Sequence, residues 1–152
     1  MNKKFGSKKL IIPQELDNNF NKNQRREQLA DKLMEKYHFA TLPNEQIFVY
    51  EDGVYTDRAE IVIKEEIVKA LSSDFQNEDI TNILNRIKGN TFVDYDFFEE
   101  PSNIICVNNG IIELDTSSFG DGKCNFMQHT PNFHFQNKLK INYDLSLNSC
   151  PK

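Results

Sequence analysis

The tightest constraint in this sequence is the run Asn103-Ile104-Ile105-Cys106-Val107-Asn108-Asn109-Gly110-Ile111-Ile112-Glu113-Leu114-Asp115. Two short apolar stretches flank Asn109-Gly110, the dipeptide that best suits a type I′ turn because both residues tolerate positive φ. An antiparallel hairpin is therefore expected here. Upstream, Ile47-Phe48-Val49-Tyr50 runs through Glu51-Asp52-Gly53 into Val54-Tyr55. This is a second hairpin signal, with Asp-Gly as its turn. Alternation puts Phe48 and Tyr50 on one face and Ile47 and Val49 on the other.

Helical periodicity fills the remaining space. From about Asn23 to Tyr37, Leu29, Leu33 and Tyr37 recur at four-residue steps, widened by Ala30 and Met34. Phe39 and Leu42-Pro43 close that helix. A second helix should open at Asp57, a good cap with Glu60 three residues on. Its inner stripe is Ile63, Ile67, Ala70 and Leu71, broadened by Ile61 and Val62, with Lys64, Glu65, Glu66 and Lys69 facing water. A third is capped by Asn77, carries Ile80, Ile83, Leu84 and Ile87 inward, and ends at Gly89. An aromatic connector follows (Phe92, Val93, Tyr95, Phe97, Phe98). Cys124 to His129 and Lys138 to Tyr143 read as strands. The fold class expected is α+β: about three helices, two β-hairpins and C-terminal strands. The order of helix, strand, helix, helix and ribbon is also winged-helix-like.

The 152 residues suffice for one module plus a tail. Residues 1–22 are polar and lack sustained periodicity, so they read as a basic tail or linker, and 23–152 as the folded module. The net charge of −5 is unevenly placed. Residues 1–26 hold seven Lys/Arg against two acids, while the rest holds 11 against 21. Phosphate binding needs local positive charge. The acidic body is a poor broad DNA face, and the tail is either a DNA contact or a solubilising extension. Candidate nucleic-acid contacts are Lys3, Lys4, Lys8 and Lys9 of the tail, then Arg25, Arg26, Arg86, Lys88, Lys138 and Lys140. Phe133 and Phe135 beside the last two lysines are either stacking platforms or half-buried packing residues. No apolar run reaches the roughly 18–20 residues of a membrane span. Three cysteines without a signal sequence fit a reducing cytoplasm.

No Walker-type glycine loop is present, so this chain is expected neither to hydrolyse ATP nor to hold a nucleotide cofactor. Cys124, His129, His134 and Cys150 are zinc-type ligands, but their spacing is not that of a knuckle and no metal is assigned. Asp94 and Asp96 share a face if extended, as two-metal chemistry would need, yet they also read as an acidic loop between packing aromatics.

Four segments, taken in order, resemble the poxvirus-type domain that precedes a superfamily 3 helicase motor in phage, plasmid and viral primase-helicases. They are Phe48-Val49-Tyr50-Glu51-Asp52-Gly53-Val54-Tyr55, like that family's Tyr-x-x-Gly-x-Tyr hairpin; Val107-Asn108-Asn109-Gly110-Ile111-Ile112-Glu113-Leu114, like its Asn-Gly-hydrophobic motif; His129-Thr130-Pro131, where it has His-Ser-Pro; and Ile141-Asn142-Tyr143-Asp144 with Cys150-Pro151, where it runs into the motor. The resemblance covers roughly residues 25–152. It implies a non-catalytic module of a replicative primase-helicase that supports ring assembly and DNA positioning. The partners it implies are single-stranded or forked DNA, the protein's own helicase motor and neighbouring subunits of a ring. The ATP-dependent helicase or primase activity would belong to the full-length parent, with the motor following residue 152. A self-contained winged-helix DNA binder, reading bases with Asn82, Asn85, Arg86 and Lys88 of the third helix, is the alternative.

Overall fold

A computed structural model describes residues 21–71, 76–115 and 124–144. The fold is α+β, with three helices and two three-stranded antiparallel sheets. Helix α1 (Lys22–Lys36) starts at a capping box: Asn21 accepts from the Gln24 amide, and the Gln24 side chain returns to the Asn21 amide. Leu29, Ala30 and Leu33 bury one face.

The chain then forms β1 (Phe39–Thr41), β2 (Ile47–Glu51) and β3 (Val54–Thr56), in the sheet order β1-β2-β3. The expected hairpin is present, and its Asp52-Gly53 turn has φ of 52° and 93°. Both values are positive, as a type I′ turn requires. Strand β1 is a correction: Phe39 was expected only to close the helix, yet Phe39–Thr41 pairs with Ile47–Val49. Three residues are too few for alternation to show. The two faces of β2 behave as the sequence implies. Ile47 and Val49 enter the core with α1, α2 and α3, while Phe48 joins Ala40, Leu42 and Tyr55 against Tyr50, Val93, Phe97 and Phe98.

Helix α2 (Ala59–Leu71) starts two residues beyond Asp57. Val62, Ile63, Ile67 and Ala70 are buried, but Ile61 is 52% exposed and turns outward. Glu66, expected in water, is 4% exposed. Helix α3 (Asn77–Asn90) is capped by Gln76 rather than Asn77 and runs through Gly89 to a C-cap at Thr91, whose hydroxyl donates to the Ile87 carbonyl. Thr91–Val93 then runs along the outer edge of β1, with Thr41 N–H donating to Thr91 O and Val93 N–H to Thr41 O. A 3-10 turn spans Tyr95–Phe98.

The second sheet comprises β4 (Ile104–Val107), β5 (Gly110–Leu114) and β6 (Cys124–Met127). Its first hairpin pairs Val107 with Gly110, so the two-residue turn is Asn108-Asn109, one position before the expected pair. Among the described residues only Glu45, Asp52 and Gly53 have positive φ. Gly110 therefore serves another purpose. A Cβ there would collide with the Met127 carbonyl and the Phe126 ring of β6. The expected strand over 138–143 is a strap instead. Leu139 N–H donates to Cys106 O and Asn108 N–H donates to Ile141 O, a parallel bridge along the end of β4. The ribbon after α3 thus pairs with β6, while the strands between α1 and α2 close into a sheet of their own.

Candidate partner and nucleic-acid interfaces

Three of the family-like segments meet where the two sheets touch. The Asp52-Gly53 turn of the first sheet lies against the His129 ring, so that a Cβ at Gly53 would sit 2.8 Å from ring carbons. His129 Nε2 is 2.8 Å from the Val107 carbonyl at the end of β4. The Cys106 thiol faces the Gly53 carbonyl at 3.7 Å, and burial pushes that thiol's pKa up. Lys138 donates to both the backbone and the carboxylate of Asp52, at 2.7 and 2.8 Å. Tyr55 N–H donates to Phe135 O, and the Tyr55 hydroxyl to Pro131 O. These residues form a polar seam between the sheets. Beside it, burial raises the Tyr50 phenol to about 12. A phenol must shed its hydration to be buried, which favours its neutral form.

The proposed DNA-contacting residues have diverse surroundings. Lys3, Lys4, Lys8 and Lys9 lie outside the described residues. Arg25 is half-buried near the start of α1. Arg26 reaches α3, donating to Asp79 at 2.5 Å with Glu78 at 3.7 Å. Asp79 is 1% exposed and also accepts from the Gln76 amide. Burial alone would raise its carboxyl pKa, but the Arg26 and Gln76 hydrogen bonds and the nearby Lys22 charge outweigh that and hold it below the usual range. Arg86 forks onto Asp31 of α1, and Lys88 lies 3.5 Å from Glu60 of α2. Lys138 is held by Asp52. Lys140 is exposed and has no acid partner among the described residues. The sequence reading missed that Arg26, Arg86 and Lys88 join helices. A signal existed for two buried acids that hold such cations: Asp79 shares the stripe of Ile83 and Ile87, and Glu66 lies three residues after Ile63 and four before Ala70. Glu66 is held by Lys36 and Lys69, which keep its pKa low against the opposing effect of burial.

The metal and catalytic candidates are dispersed. Cys124 faces the Tyr143 hydroxyl at 3.2 Å, His129 sits in the seam, and His134 stacks on Phe97 with ring centroids 3.7 Å apart. Cys150 lies outside the described residues. No group of three or more His, Cys, Asp or Glu side chains able to hold a metal is found among the described residues. Asp94 and Asp96 lie at a 3-10 turn, not on an extended strand. Phe133 and Phe135 stack on each other at 6.2 Å, both half-buried.

Two hollows remain. One, about 420 Å³, lies between α1 and α3 and is lined by Asn23, Arg26, Glu27, Glu78, Asn82 and Arg86. Both of its arginines already have acid partners. The other, about 370 Å³, is aromatic and lies at the C-terminal end of α1, where Tyr37, Phe39, Phe92, Phe97 and His134 come together.

A protein-family model described as D5 N terminal like matches residues 1–152. The chain belongs to the D5 N-terminal-like family. It is the N-terminal domain type of phage and viral D5-like primase-helicases, and the seam links the segments that carry the likeness. No curated protein sequence matches the chain. Among the described residues, no helix of this D5 N-terminal-like domain is long and apolar enough to cross a membrane.

Proposed function

We propose that this D5 N-terminal-like domain is a non-catalytic module of a viral or mobile-element primase-helicase. In this reading it supports assembly of the motor ring and helps position single-stranded or forked DNA during replication. The residues before the Asn21 cap of α1 act as a basic tail that contacts phosphate, and the residues from Asn21 onward form the scaffold. One observation carries the division of labour. The folded body commits its helix cations to its own acids: Arg26 to Asp79, Arg86 to Asp31, Lys88 to Glu60. Recruiting Arg26 to DNA would leave the buried Asp79 carboxylate unpaired, which is costly, whereas Asp31 and Glu60 are about half exposed and hold their partners less strongly. A tail rich in lysine carries no such penalty.

The test is fluorescence anisotropy on forked DNA at several salt concentrations, comparing the chain with a Lys3→Gln, Lys4→Gln, Lys8→Gln, Lys9→Gln variant. Each lost phosphate contact should reduce the log–log salt slope by about 0.7–0.9. An unchanged slope rejects the tail as the contact. For ring support, the protein extended to include its motor should form hexamers and unwind DNA. A folded, ATP-competent extended protein that stays monomeric removes that role.

The alternative, a self-contained winged-helix binder, draws on the exposed Asn82 and Asn85 of α3. It needs α3 to enter a groove. Arg86→Ala with Lys88→Ala should then weaken binding and lower the salt slope, whereas the tail reading expects both to stay the same.

A further inference from the structure

The aromatic cleft at the end of α1 is absorbed neither by the seam nor by the helix core. Its walls come from four places: Tyr37 and Phe39 after α1, Phe92 after α3, Phe97 of the 3-10 turn, and His134 of the C-terminal segment. Phe92 is 60% exposed and the neighbouring Tyr95 64%, the two most exposed aromatics of the described residues. The rim is acidic. Asp94, Asp96 and Glu99 are exposed and make no ion pair among the described residues, and Glu100 accepts from the His134 amide on the cleft wall. Lys36 lies over the ring of the lining Tyr37 but is bound to Glu66. An apolar floor under a carboxylate rim repels phosphate and suits a segment that is both basic and apolar.

The tail contains such a segment. Lys3-Lys4-Phe5-Gly6-Ser7-Lys8-Lys9-Leu10-Ile11-Ile12 alternates paired lysines with Phe5 and an aliphatic run. The first described residue is Asn21, at the opposite end of α1 from the cleft. The twelve positions from Lys9 to Asn21 span up to about 40 Å when extended. A 15-residue helix is about 22 Å long, so the segment can run back along α1 to the cleft.

We infer that residues 3–12 of this chain dock on their own aromatic cleft, with Phe5 or the Leu10–Ile12 run against Phe92 and Phe97, and the lysines against Asp94, Asp96 and Glu99. The surface is thus an internal seat for the tail. This inference stands whether or not the tail also binds DNA, because the carbodiimide cross-linking that supports it is carried out without nucleic acid.

The test is zero-length carbodiimide cross-linking of the full chain, read by mass spectrometry on an equal mixture of ordinary and ¹⁵N-labelled copies. The expected result is amide cross-links from Lys3, Lys4, Lys8 or Lys9 to Asp94, Asp96 or Glu99, within copies of one isotope, several-fold more abundant than links to Glu27, Glu65 or Glu113. High salt should abolish them. Phe92→Ala with Tyr95→Ala, which truncates only exposed rings, should reduce them several-fold while leaving the circular dichroism unchanged. Cross-links scattered over all exposed acids, or indifferent to the ring truncations, overturn the inference. Mixed-isotope links would assign the cleft to a second copy. Absence of tail links, together with photo-cross-linking of a bromouridine oligonucleotide to Tyr95, would assign it to nucleic acid. Either of these results also overturns the inference.

Discussion

The helical half and the second sheet are held by different physics. Around α1, α2, α3 and the first sheet, Leu29, Leu33, Ile63, Ile67, Ile83, Ile87 and Val49 are fully buried in one apolar cluster. The second sheet buries far less: Cys106, Val107, Ile111 and Ile112 are its buried apolar residues among those described. It is fixed to the first sheet by directional contacts, with His129 under Gly53, Lys138 on Asp52 and the Tyr55 amide on Phe135. An apolar core resists the loss of volume poorly but tolerates isosteric exchange. A polar seam depends on particular atoms and backbone angles.

The sharpest way to break this contrast is in the core. Ile83→Ala or Ile63→Ala should cost about 2–5 kcal/mol and lower a single cooperative thermal transition. If either variant melts only the second sheet, the division into two regimes is wrong. Next is the buried charged pair Arg26–Asp79. Arg26→Met should cost about 3 kcal/mol, because Asp79 stays buried with only Lys22, 3.5 Å away, to balance it. Urea unfolding of Arg26→Met beside Arg26→Met/Asp79→Leu checks this, since removing both partners should recover most of the loss.

Gly53→Ala tests the seam. A side chain at φ 93° meets backbone strain of about 1–3 kcal/mol, and its Cβ meets the His129 ring. The expected signature is local. Amide exchange should accelerate in β4 and in 129–139 while α1 and α3 keep their protection. Uniform acceleration would show that seam and core unfold together.

The pH dependence should come from the helical half. Asp79 and Glu66 have lowered pKa values in the fold. Their contribution is fully present above the unfolded carboxylate range, about pH 4, and is lost as the pH falls through their lower folded values. Acid should therefore destabilise the helical half, and Asp79→Asn should flatten the stability curve below about pH 4. The smallest expected effect is Lys138→Ala, at about 1 kcal/mol or less, because its partner Asp52 is 87% exposed.

Much of this architecture was legible in the residues, for identifiable reasons. Long apolar stripes gave three helices, and Asp52-Gly53 gave the first hairpin in the right register. The same logic misplaced the second turn by one residue. It assigned Gly110 to positive φ, when the position is glycine because β6 crosses so close. Glu66 reads as solvent-facing and Asp79 shows no sign of its ion pair, because their partners, Lys36 and Arg26, are 30 and 53 residues away. A local pattern carries no information about such a partner. Of the candidate contacts, the sequence identified cations but not whether the fold had already used them, since that depends on which helices lie side by side.

The strap over 135–143 has a consequence for the order of folding. Its bonds reach back to Tyr55, Asp52 and Cys106, which closes loops of 80 residues or more in the first two cases. The contacts among α1, the first sheet and α3 are complete once Val93 is in place, whereas the seam must wait for some of the last described residues. Long-range closure is slow relative to helix and hairpin formation. Pulse-labelled hydrogen exchange during refolding should therefore protect α1 and α3 amides before the Asn108 and Leu139 amides. Simultaneous protection would mean that the strap forms with the core. A chain emerging from the ribosome would thus hold a folded front half while residues 129–143 are still arriving, and would join the two sheets only then.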